Sequence, residues 1–358
     1  MIVSKLALMN FRNYDLLNLD FQKGLNIIVG ENASGKTNIV EAIQFLSLGR
    51  SFRTSNIPDL IKKDREFATI SATVEQNTVK KDIVALIGAN GKKISVNGKT
   101  VRKTSELAKS VNVIVFEPKD TLMFKDSPAT RRDFFDIMIA KKYPAYLDSL
   151  IIYEKLLKER NKILKEEMVD KLQIEVITTE MIKVEKSIIQ ERSRYIREVN
   201  KVLSRVIYEL KGEEAKAEVI YAPFIEITDN YEERCKKAYD ECLETDIKRK
   251  LTSIGIQRED YSLLLNGNDV AHKGSQGENR ICAIALKLTP YFLIEEEEKR
   301  PIVVLDDVMS ELDKDHKERL ITFLRKFEQV FITSTHSDVT NASIYEVSKK
   351  QIVTRRNS

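Results

Sequence analysis

The sequence predicts an α/β protein that is interrupted by a long helical insertion. Short apolar runs, typical of strands, occur in the first 118 residues and again after residue 255. Between them, helical spacing of apolar residues continues with few breaks from about residue 128 to 210. We therefore expect an N-terminal core segment over residues 1–118, a helical arm over 119–251 and a C-terminal core segment over 252–358. Both core segments are expected to contribute to one sheet.

The composition excludes some classes of protein. Hydrophobic side chains make up 42% of the 358 residues, which is enough for a core, and the net charge of +4 neither requires nor excludes nucleic acid. No apolar run approaches the roughly 18 residues of a membrane helix or forms a secretory signal, so we expect a soluble cytoplasmic protein without a membrane partner. Cys235, Cys242 and Cys282 lack metal-ligand spacing and cannot form a disulfide framework, so reduced thiols are expected.

The N-terminal core segment is predicted to be β-structure with one embedded helix. Its strand-like runs fall at residues 1–9, 16–21, 25–29, several stretches within 67–103, and 111–116. The helix is predicted over 39–48. Asn90-Gly91 and Asn97-Gly98 predict hairpin turns, because both residues of such turns must tolerate positive φ.

The arm is predicted to begin at Ser127-Pro128, an N-cap followed by proline in the first turn. Two apolar stripes at coiled-coil spacing then follow: Tyr146, Leu150, Tyr153, Leu157 and Leu164, and after them Ile174, Ile177, Met181, Val184 and Ile188. They predict a pair of antiparallel helices joined near residues 166–170, with a further helix over 231–251. After residue 255 we expect a helix over 281–288 and strands over 302–305 and 330–333.

Basic residues of the arm allow two interpretations. Arg131 and Arg132 at its root contact DNA or pin the arm by salt bridges, and we favour the structural role. A second set recurs along the long helix at mixed spacing, which favours a solvated face over a nucleic-acid surface. Its members are Arg192, Arg194, Arg197, Lys201 and Arg205.

The strongest motif is a P-loop between the strand at 25–29 and the helix at 39–48. It reads Gly30-Glu31-Asn32-Ala33-Ser34-Gly35-Lys36-Thr37. Glycines let the backbone wrap around phosphates, whose charge is bound by N–H groups and the helix N-terminus. Lys36 is expected to reach the β- and γ-phosphates, and the Thr37 hydroxyl is expected to bind Mg²⁺.

A second motif is the apolar strand at 302–305, which ends in Asp306-Asp307. Asp306 is expected to hold Mg²⁺ opposite Thr37, and Asp307 to orient or deprotonate the attacking water. Without a P-loop, the same pattern would equally suit an ordinary strand followed by a capping aspartate.

A third motif, Gly274-Ser275-Gln276-Gly277-Glu278, precedes a predicted helix. It resembles the signature of ABC-type ATPases, in which the serine and the helix N-terminus face the γ-phosphate held by a second subunit. Ser310-Glu311-Leu312-Asp313 resembles the D-loop of these proteins, and His336 within 333–338 resembles their switch histidine. Each of these motifs alone could be a turn or cap, but together they follow the order of that family.

The spacing of the motifs distinguishes the subfamilies. More than two hundred residues separate Thr37 from Asp306; transporter ATPases lack such an insertion, and SMC-type ATPases carry far longer arms. The short arm, Asn10-Phe11-Arg12-Asn13-Tyr14 and Gly49-Arg50-Ser51-Phe52-Arg53 resemble the RecF family of bacterial DNA repair proteins over nearly the full length. The resemblance implies an ABC/SMC-type P-loop ATPase head, with an α/β core and an antiparallel β lobe, and an inserted coiled-coil-like arm.

The RecF resemblance also implies a function. In that family, ATP bridges two heads as a homodimer, the dimer binds junctions of single- and double-stranded DNA, and RecR and RecO act with it to load RecA at gaps. ATP and Mg²⁺ are the implied cofactors, and Lys36, Ser275, His336 and Asp307 the implied catalytic residues. Because Asp307 replaces the longer glutamate of transporters, slow hydrolysis is expected. Nucleotide contacts are implied for Arg12, residues 30–37, Ser275, Gln276 and Gly277.

The chain departs from the family pattern in two places. RecF proteins usually carry a Gly-Pro-His-Arg-Asp-like stretch where this chain reads Gly255-Ile256-Gln257-Arg258-Glu259-Asp260, so any contact made by that histidine is absent. Related SMC-type ATPases have a glutamine that contacts Mg²⁺ and water where this chain has Phe116-Glu117-Pro118-Lys119, and Glu117 is not assigned a role.

A candidate DNA surface lies on the predicted hairpins, where no acidic residue occurs between Asp82 and Glu106. Its basic residues are Lys92, Lys93, Lys99, Arg102 and Lys103. Lysines on exposed edge strands also prevent aggregation, and that interpretation is equally open. For the whole protein, the alternative is an SMC-like structural ATPase that tethers DNA or a nuclease partner. An arm of about forty residues per helix, roughly 60 Å long, is too short for long-range tethering.

Overall fold

The computed structural model describes residues 1–336, 339–348 and 351–356. Contacts within the chain divide it into two compact units. The first unit contains residues 1–122, 205–214 and those from 280 onward, and the second contains 123–204 and 215–279. Residues 252–279 therefore cluster with the second unit, whereas the sequence assigned them to the C-terminal core segment. The division into segments at 118 and 251 stays a prediction.

The strands alternate between short buried runs and longer antiparallel pairs. In chain order they are β1 (Ile2–Phe11), β2 (Tyr14–Asp20), β3 (Gly24–Val29), β4 (Phe67–Gln76), β5 (Val79–Gly88), β6 (Gly91–Val96), β7 (Lys99–Thr100), β8 (Val113–Phe116), β9 (Ala217–Ala222), β10 (Asp260–Leu265), β11 (Asn268–Asp269), β12 (Ile302–Leu305), β13 (Gln329–Ser334), β14 (Ser343–Ser348) and β15 (Gln351–Arg356).

The helices range from a single turn to more than ten turns. They are α1 (Lys36–Leu48), α2 (Thr104–Ser110), α3 (Pro128–Lys142), α4 (Pro144–Ile163), α5 (Lys171–Lys211), α6 (Tyr231–Arg249), α7 (Val270–Lys273), α8 (Gln276–Leu293) and α9 (Lys314–Leu324). None of the helices in the described residues combines the length and the apolar character needed to cross a bilayer.

Two six-stranded sheets form the first unit. One is antiparallel in the order β2-β1-β4-β5-β6-β7, and the turns at Asn90-Gly91 and Asn97-Gly98 join β5 to β6 and β6 to β7 as predicted. The other has the order β15-β14-β3-β13-β12-β8, with parallel pairing from β14 to β8. Its strands come from both ends of the chain, so the expectation of one shared sheet is confirmed.

Helix α1 is buried between these sheets, contacting β4 and β5 on one side and β8 and β13 on the other. A helix that packs on two sides must be apolar around most of its circumference. Accordingly, every residue from Ile39 to Leu48 is buried. Helix α1 starts at the P-loop, so the loop is built onto one of the most constrained elements of the unit.

The second unit combines helices with the antiparallel sheet β11-β10-β9. Ser127 caps α3 by accepting a hydrogen bond from the Thr130 N–H, as predicted. Helix α3 packs on β10, where the Arg131 guanidinium donates two hydrogen bonds of 2.7 Å to Asp260. The predicted structural role of Arg131 is confirmed, and Arg132 donates to the Glu259 carbonyl at 2.7 Å.

Helices α4 and α5 run antiparallel and are joined between residues 163 and 171, as predicted. Their contacts pair Tyr146 with Arg192 and Arg160 with Thr178, so the order is reversed between the two helices. The expectation that Arg192 lies on a solvated face is wrong, because it is 2% exposed and bonds to Asp136 and Glu259. The other basic residues of that set, Arg194, Arg197, Lys201 and Arg205, are exposed.

Candidate nucleotide-binding site

The P-loop joins the end of β3 to the start of α1 and requires glycine at its first and sixth positions. Gly35 has φ +113°, and a Cβ there would lie 2.6 Å from Asn13 Nδ2 and 2.7 Å from the Tyr14 hydroxyl. A Cβ at Gly30 would lie 2.5 Å from the Val347 carbonyl oxygen. No side chain caps α1 and its first turn carries no acid. Its N–H groups are therefore available to an anion such as phosphate.

Lys36 lies inside the loop, with Nζ donating to the carbonyl oxygens of Gly30 and Glu31 at 2.8 Å each. Burial lowers the pKa of Lys36, while the negative charges of Asp307 and Asp306 act in the opposite direction. The ammonium therefore lies within electrostatic range of both acids that follow β12. It can exchange its carbonyl contacts for phosphate oxygens.

Asp306 lies at the end of β12 with only 7% of its surface exposed. Its Oδ1 accepts hydrogen bonds from Thr37 Oγ1 at 3.0 Å and from Thr333 Oγ1 at 2.7 Å. Burial raises the pKa of Asp306, and these two hydrogen bonds act in the opposite direction. A carboxylate and a hydroxyl are hard oxygen ligands, so Thr37 and Asp306 fit Mg²⁺.

Asp307 points elsewhere, because its backbone turns sharply after the strand. Its φ is +52°, in the left-handed region that non-glycine residues seldom adopt, and its side chain is exposed. The Asp307 N–H donates to Thr333 Oγ1 at 2.9 Å. One acid is thus buried against the P-loop helix, and its neighbour is available to solvent or a substrate.

The turn between β1 and β2 supports the P-loop from behind. Asn13 Nδ2 donates to the Ser34 carbonyl at 3.3 Å and the Tyr14 hydroxyl donates to the Gly35 carbonyl at 3.2 Å. Asn38 on α1 donates to Asn13 Oδ1 at 2.7 Å. These contacts engage the carbonyls of two consecutive residues of the loop. The sequence predicts no role for Asn13 or Tyr14, which are only part of the segment that resembles the RecF family.

Arg12 occupies a fixed position in the same unit. Its guanidinium donates to both carboxylate oxygens of Glu41, at 2.9 and 2.5 Å, and to the Asp59 carbonyl at 2.8 Å. Glu41 is fully buried on α1, and Arg53 also bonds to it at 3.4 Å. The Arg53 charge also opposes the burial that raises the pKa of Asp306. A nucleotide contact for Arg12 stays a prediction.

Glu117 follows β8, next to Asp306, whose N–H donates to the Phe116 carbonyl at 2.9 Å. Burial and the nearby Asp120 carboxylate raise the pKa of Glu117 to about 7, although Lys119 acts in the opposite direction from 3.1 Å. A titratable carboxylate therefore follows the strand next to Asp306, at the position for which the sequence suggested no role.

The two motifs around β12 and β13 have local roles in the structure. Asp313 of the D-loop-like segment caps α9 by accepting from the His316 N–H at 3.0 Å, and the Ser310 hydroxyl donates to the Asp307 carbonyl at 3.0 Å. His336 follows β13, and its N–H donates to Ser334 Oγ at 3.3 Å. Residues 337 and 338 of the same motif lie outside the described residues.

The signature-like motif belongs to the second unit and begins α8 with a capping box. The Ser275 N–H donates to the Glu278 carboxylate at 2.9 Å, and the Glu278 N–H donates to Ser275 Oγ at 3.1 Å. Gln276 and Gly277 are exposed. The buried Asn279 Nδ2 bonds to the Val270 carbonyl of α7 and to the loop carbonyls of Gly274 and Ser275, the last at 2.9 Å. The motif is thus held rigidly while its outer face stays open.

The candidate DNA surface divides into two groups. Lys92 donates to the Gly49 carbonyl at the C-terminus of α1 and lies 5.8 Å from the centre of the Phe45 ring. Burial and the neighbouring Arg50 lower the pKa of Lys92. All five side chains are exposed, including those of Lys93, Lys99, Arg102 and Lys103. Lys92 therefore has a structural contact that the other four do not show.

All three cysteines are free thiols, and the described residues contain no group of three or more His, Cys, Asp or Glu side chains placed to hold a metal ion. A family model described as the RecF/RecN/SMC N terminal domain matches residues 2–356. DNA replication and repair protein RecF of Geobacillus kaustophilus (strain HTA426) is 34% identical, with coverage of 97% of this chain and 98% of its own length. RecF of Bacillus subtilis (strain 168) is 35% identical, with 94% coverage of both chains. The chain belongs to the RecF family.

Solved structures agree with this membership. The recombination mediator protein RecF-ATPrS in the RecFOR pathway matches the RecF-family chain with a TM-score of 0.91 and 32% identity, covering 99% of this chain and 98% of its own. An Smc head domain with an extended coiled coil from Pyrococcus furiosus matches with a TM-score of 0.56 at 19% identity, which shows the fold alone. The predicted ABC/SMC-type head fold is confirmed.

Proposed function

We propose that this RecF-family chain is an ATP-dependent DNA-binding protein of recombinational repair and replication restart. ATP is proposed to close a homodimer on DNA, and slow hydrolysis to open it. The observation that carries the proposal is the pairing of Thr37 with Asp306 beside an uncapped P-loop helix, in a chain whose relatives are named as repair proteins and solved with nucleotide.

The nucleotide would bind through the backbone N–H groups of residues 30–37, with Lys36 leaving its two carbonyl contacts for the β- and γ-phosphates. Thr37 and Asp306 would hold Mg²⁺, which neutralises charge on the phosphate oxygens. Gln276 and Gly277 of a second copy would cover the nucleotide.

For hydrolysis, Asp307 would accept a proton from a water whose oxygen attacks the γ-phosphorus. The bond between that phosphorus and the β–γ bridging oxygen breaks, giving ADP and phosphate. His336 would contact the γ-phosphate from the same subunit, and Ser275 from the second copy. The aspartate is short and exposed, which favours a low turnover rate that DNA raises by stabilising the dimer.

DNA binding is proposed to use the exposed lysines and arginine of the hairpin lobe, which would contact phosphates without reading bases. Junctions of single- and double-stranded DNA at gaps are the proposed target. The name of the relatives and the RecFOR pathway support RecR and RecO as partners and RecA loading as the outcome. A cytoplasmic location is proposed on the same basis.

The composite site is tested by mixing two full-length variants that each lack hydrolysis. Asp307→Asn disables the P-loop side of a site, and Ser275→Ala disables the signature side. In a mixed dimer one site carries both defects and the other carries none. We expect mixing to restore about a quarter of wild-type hydrolysis, because half of the dimers are mixed and one of their two sites is intact.

Recovery should require ATP and rise with protein concentration and with gapped DNA. Absence of recovery, with both variants still binding ATP, would contradict the composite site. Hydrolysis per molecule that is independent of both concentration and DNA would contradict the ATP-gated clamp as a whole.

A further inference from the structure

Thr333 connects the two acidic residues of the nucleotide site. It is fully buried near the end of β13, where the preceding residues Val330, Phe331 and Ile332 are apolar. Its hydroxyl donates to Asp306 Oδ1 at 2.7 Å and accepts from the Asp307 N–H at 2.9 Å. A hydroxyl has one hydrogen to donate. Because Thr333 donates that hydrogen to Asp306, its oxygen acts as the acceptor in the contact with the Asp307 N–H.

The two contacts have different effects. The bond to Asp306 fixes the rotation of its carboxylate, because Oδ1 is shared between Thr333 and Thr37 while Oδ2 is left for other ligands. The bond from Asp307 holds a backbone that is in the left-handed region, with φ +52°. Such a conformation persists where the surrounding structure enforces it, and is common at functional sites.

We propose that Thr333 is a positioning residue for ATP hydrolysis, because one hydroxyl sets the metal-binding carboxylate and the proton-accepting carboxylate relative to each other. This inference rests on the proposed function. Without the hydroxyl, Asp306 would rotate about its side chain, and the N–H of Asp307 would lose its buried acceptor. Thr37 alone would then orient Asp306.

A purely structural role is the alternative, in which Thr333 only fills space in the strand layer. Two substitutions separate the roles. Thr333→Val keeps the branched shape and removes the hydroxyl, whereas Thr333→Ser keeps the hydroxyl and removes the methyl group. If volume matters, the serine variant suffers; if the hydroxyl matters, the valine variant suffers.

The experiment uses the full chain and measures binding of a fluorescent ATP analogue across a Mg²⁺ titration and in EDTA, together with single-turnover hydrolysis and the melting temperature. For Thr333→Val we expect nucleotide affinity in EDTA within about twofold of wild type. The Mg²⁺ concentration for half-maximal effect should rise about tenfold and the hydrolysis rate should fall about 10–100-fold, typical of losing an outer partner of a metal ligand. Thr333→Ser should stay within about threefold of wild type in both.

Equal loss in the two variants, or wild-type Mg²⁺ dependence in Thr333→Val, would overturn the positioning role. If Thr333→Val melts far below wild type, the serine variant decides. A Mg²⁺ dependence of Thr333→Ser that differs from wild type overturns the positioning role, and a wild-type Mg²⁺ dependence supports it. A wild-type protein that binds Mg²⁺ and ATP without hydrolysis would defeat the proposed hydrolysis and the part of Thr333 in it. The Mg²⁺ titration would then test only whether Thr333 positions Asp306 for the metal. A wild-type protein that binds no nucleotide defeats both proposals.

Discussion

The Thr37 hydroxyl donates a hydrogen bond of 3.0 Å to Asp306, although 269 positions separate the two residues along the chain. Parallel pairing of β3 with β13 and of β13 with β12 brings the carboxyl ends of these strands to one edge of the sheet. Loops that follow such edges form ligand sites in open α/β sheets. Along the chain, the arm is thus inserted between two residues of one site.

Asp306→Asn separates the function of this carboxylate from its effect on stability. Burial raises the pKa of Asp306, so at neutral pH its ionised form is disfavoured in the folded state. We expect the asparagine variant to melt at or above the wild-type temperature and to lose hydrolysis by at least about 100-fold. Melting curves and steady-state ATP hydrolysis measure the two effects. A variant that melts lower and still hydrolyses ATP would contradict both the burial argument and the metal role.

Tyr14→Phe tests the support of the P-loop by the β1–β2 turn. The substitution removes only the hydroxyl that bonds to the Gly35 carbonyl at 3.2 Å. The loss of one hydrogen bond, worth about 1 kcal/mol, predicts roughly fivefold weaker ATP binding by titration. Asn13→Ala should give a similar loss, since its amide holds Ser34. ATP affinity equal to wild type in both variants would show that the turn does not position the loop.

The sequence predicted those parts of the site that are built from consecutive residues. The P-loop and the Asp306 strand each consist of consecutive residues with a period or a turn requirement, and both ends of the chain carry the apolar runs of a shared sheet. Thr333 and Tyr14 act through contacts with residues far away in sequence, and a single sequence contains no signal for such pairs. The one hint was Thr333 itself, a polar residue at the end of an apolar strand.

In the arm, the sequence predicted the helices but not the burial of one charged residue. Helical spacing predicted α4, α5 and their connection, because periodicity defines a face. It failed for Arg192, which was placed on a solvated face and is buried, because the acids that neutralise it come from α3 and from the segment before β10. Whether a charge on a helix is buried depends on a partner elsewhere in the chain, and periodicity does not reveal that partner.

Glu117 predicts a pH dependence of stability. Its folded pKa is about 7 and its ordinary value is 4.5, so between these pH values the folded state holds a proton that the unfolded state has lost. The free energy of unfolding therefore falls as the pH rises from about 4.5 to 7 and stays lowered above that range, by up to about 3 kcal/mol. Glu117→Gln should remove this contribution, so its stability advantage over wild type should appear at pH 8 and vanish at pH 4.

Denaturant unfolding at a series of pH values measures this effect, with Glu66→Gln as the matched control because Glu66 is an exposed glutamate of the same unit. The control is expected to follow wild type throughout. A difference between Glu117→Gln and wild type that is constant with pH would show that the carboxyl titrates at its ordinary value.

Arg160 and Asp246 form an ion pair of 2.8 Å in the second unit, with exposures of 1% and 0% for the two side chains. Arg160→Met leaves the Asp246 carboxylate buried without its cation, which predicts a loss of about 3–5 kcal/mol of stability. Adding Asp246→Leu removes the unpaired charge and should restore most of that loss. Denaturant melts of both single variants and the double variant complete the cycle. A double variant no more stable than Arg160→Met would show that the unpaired Asp246 charge does not cause the loss and that the bonds from Ser253 to Asp246 matter more.

Lys92 and Lys93 form a matched pair for testing the DNA surface, because neighbouring residues of a strand face opposite sides of a sheet. Both side chains are exposed, but Lys92 pairs in register with the buried Ile87 and its ammonium bonds to Gly49 at the end of α1, whereas Lys93 lies on the other face. We therefore expect Lys93→Gln to weaken binding to gapped DNA. The slope of the logarithm of affinity against the logarithm of salt concentration should become shallower by about 0.9, because the substitution removes one ammonium from a DNA phosphate.

Lys92→Gln should instead reduce stability by about 1 kcal/mol, because it removes a cation from the negative end of the P-loop helix, and should change the salt slope little. Fluorescence anisotropy on gapped duplex across a salt series, together with melting curves, measures both quantities for both variants. The reverse result, a reduced salt slope for Lys92→Gln with wild-type melting, would make the Gly49 contact dispensable and place the phosphate contact on the inner face. The assignment of Lys92 to the helix end rather than to DNA is then wrong.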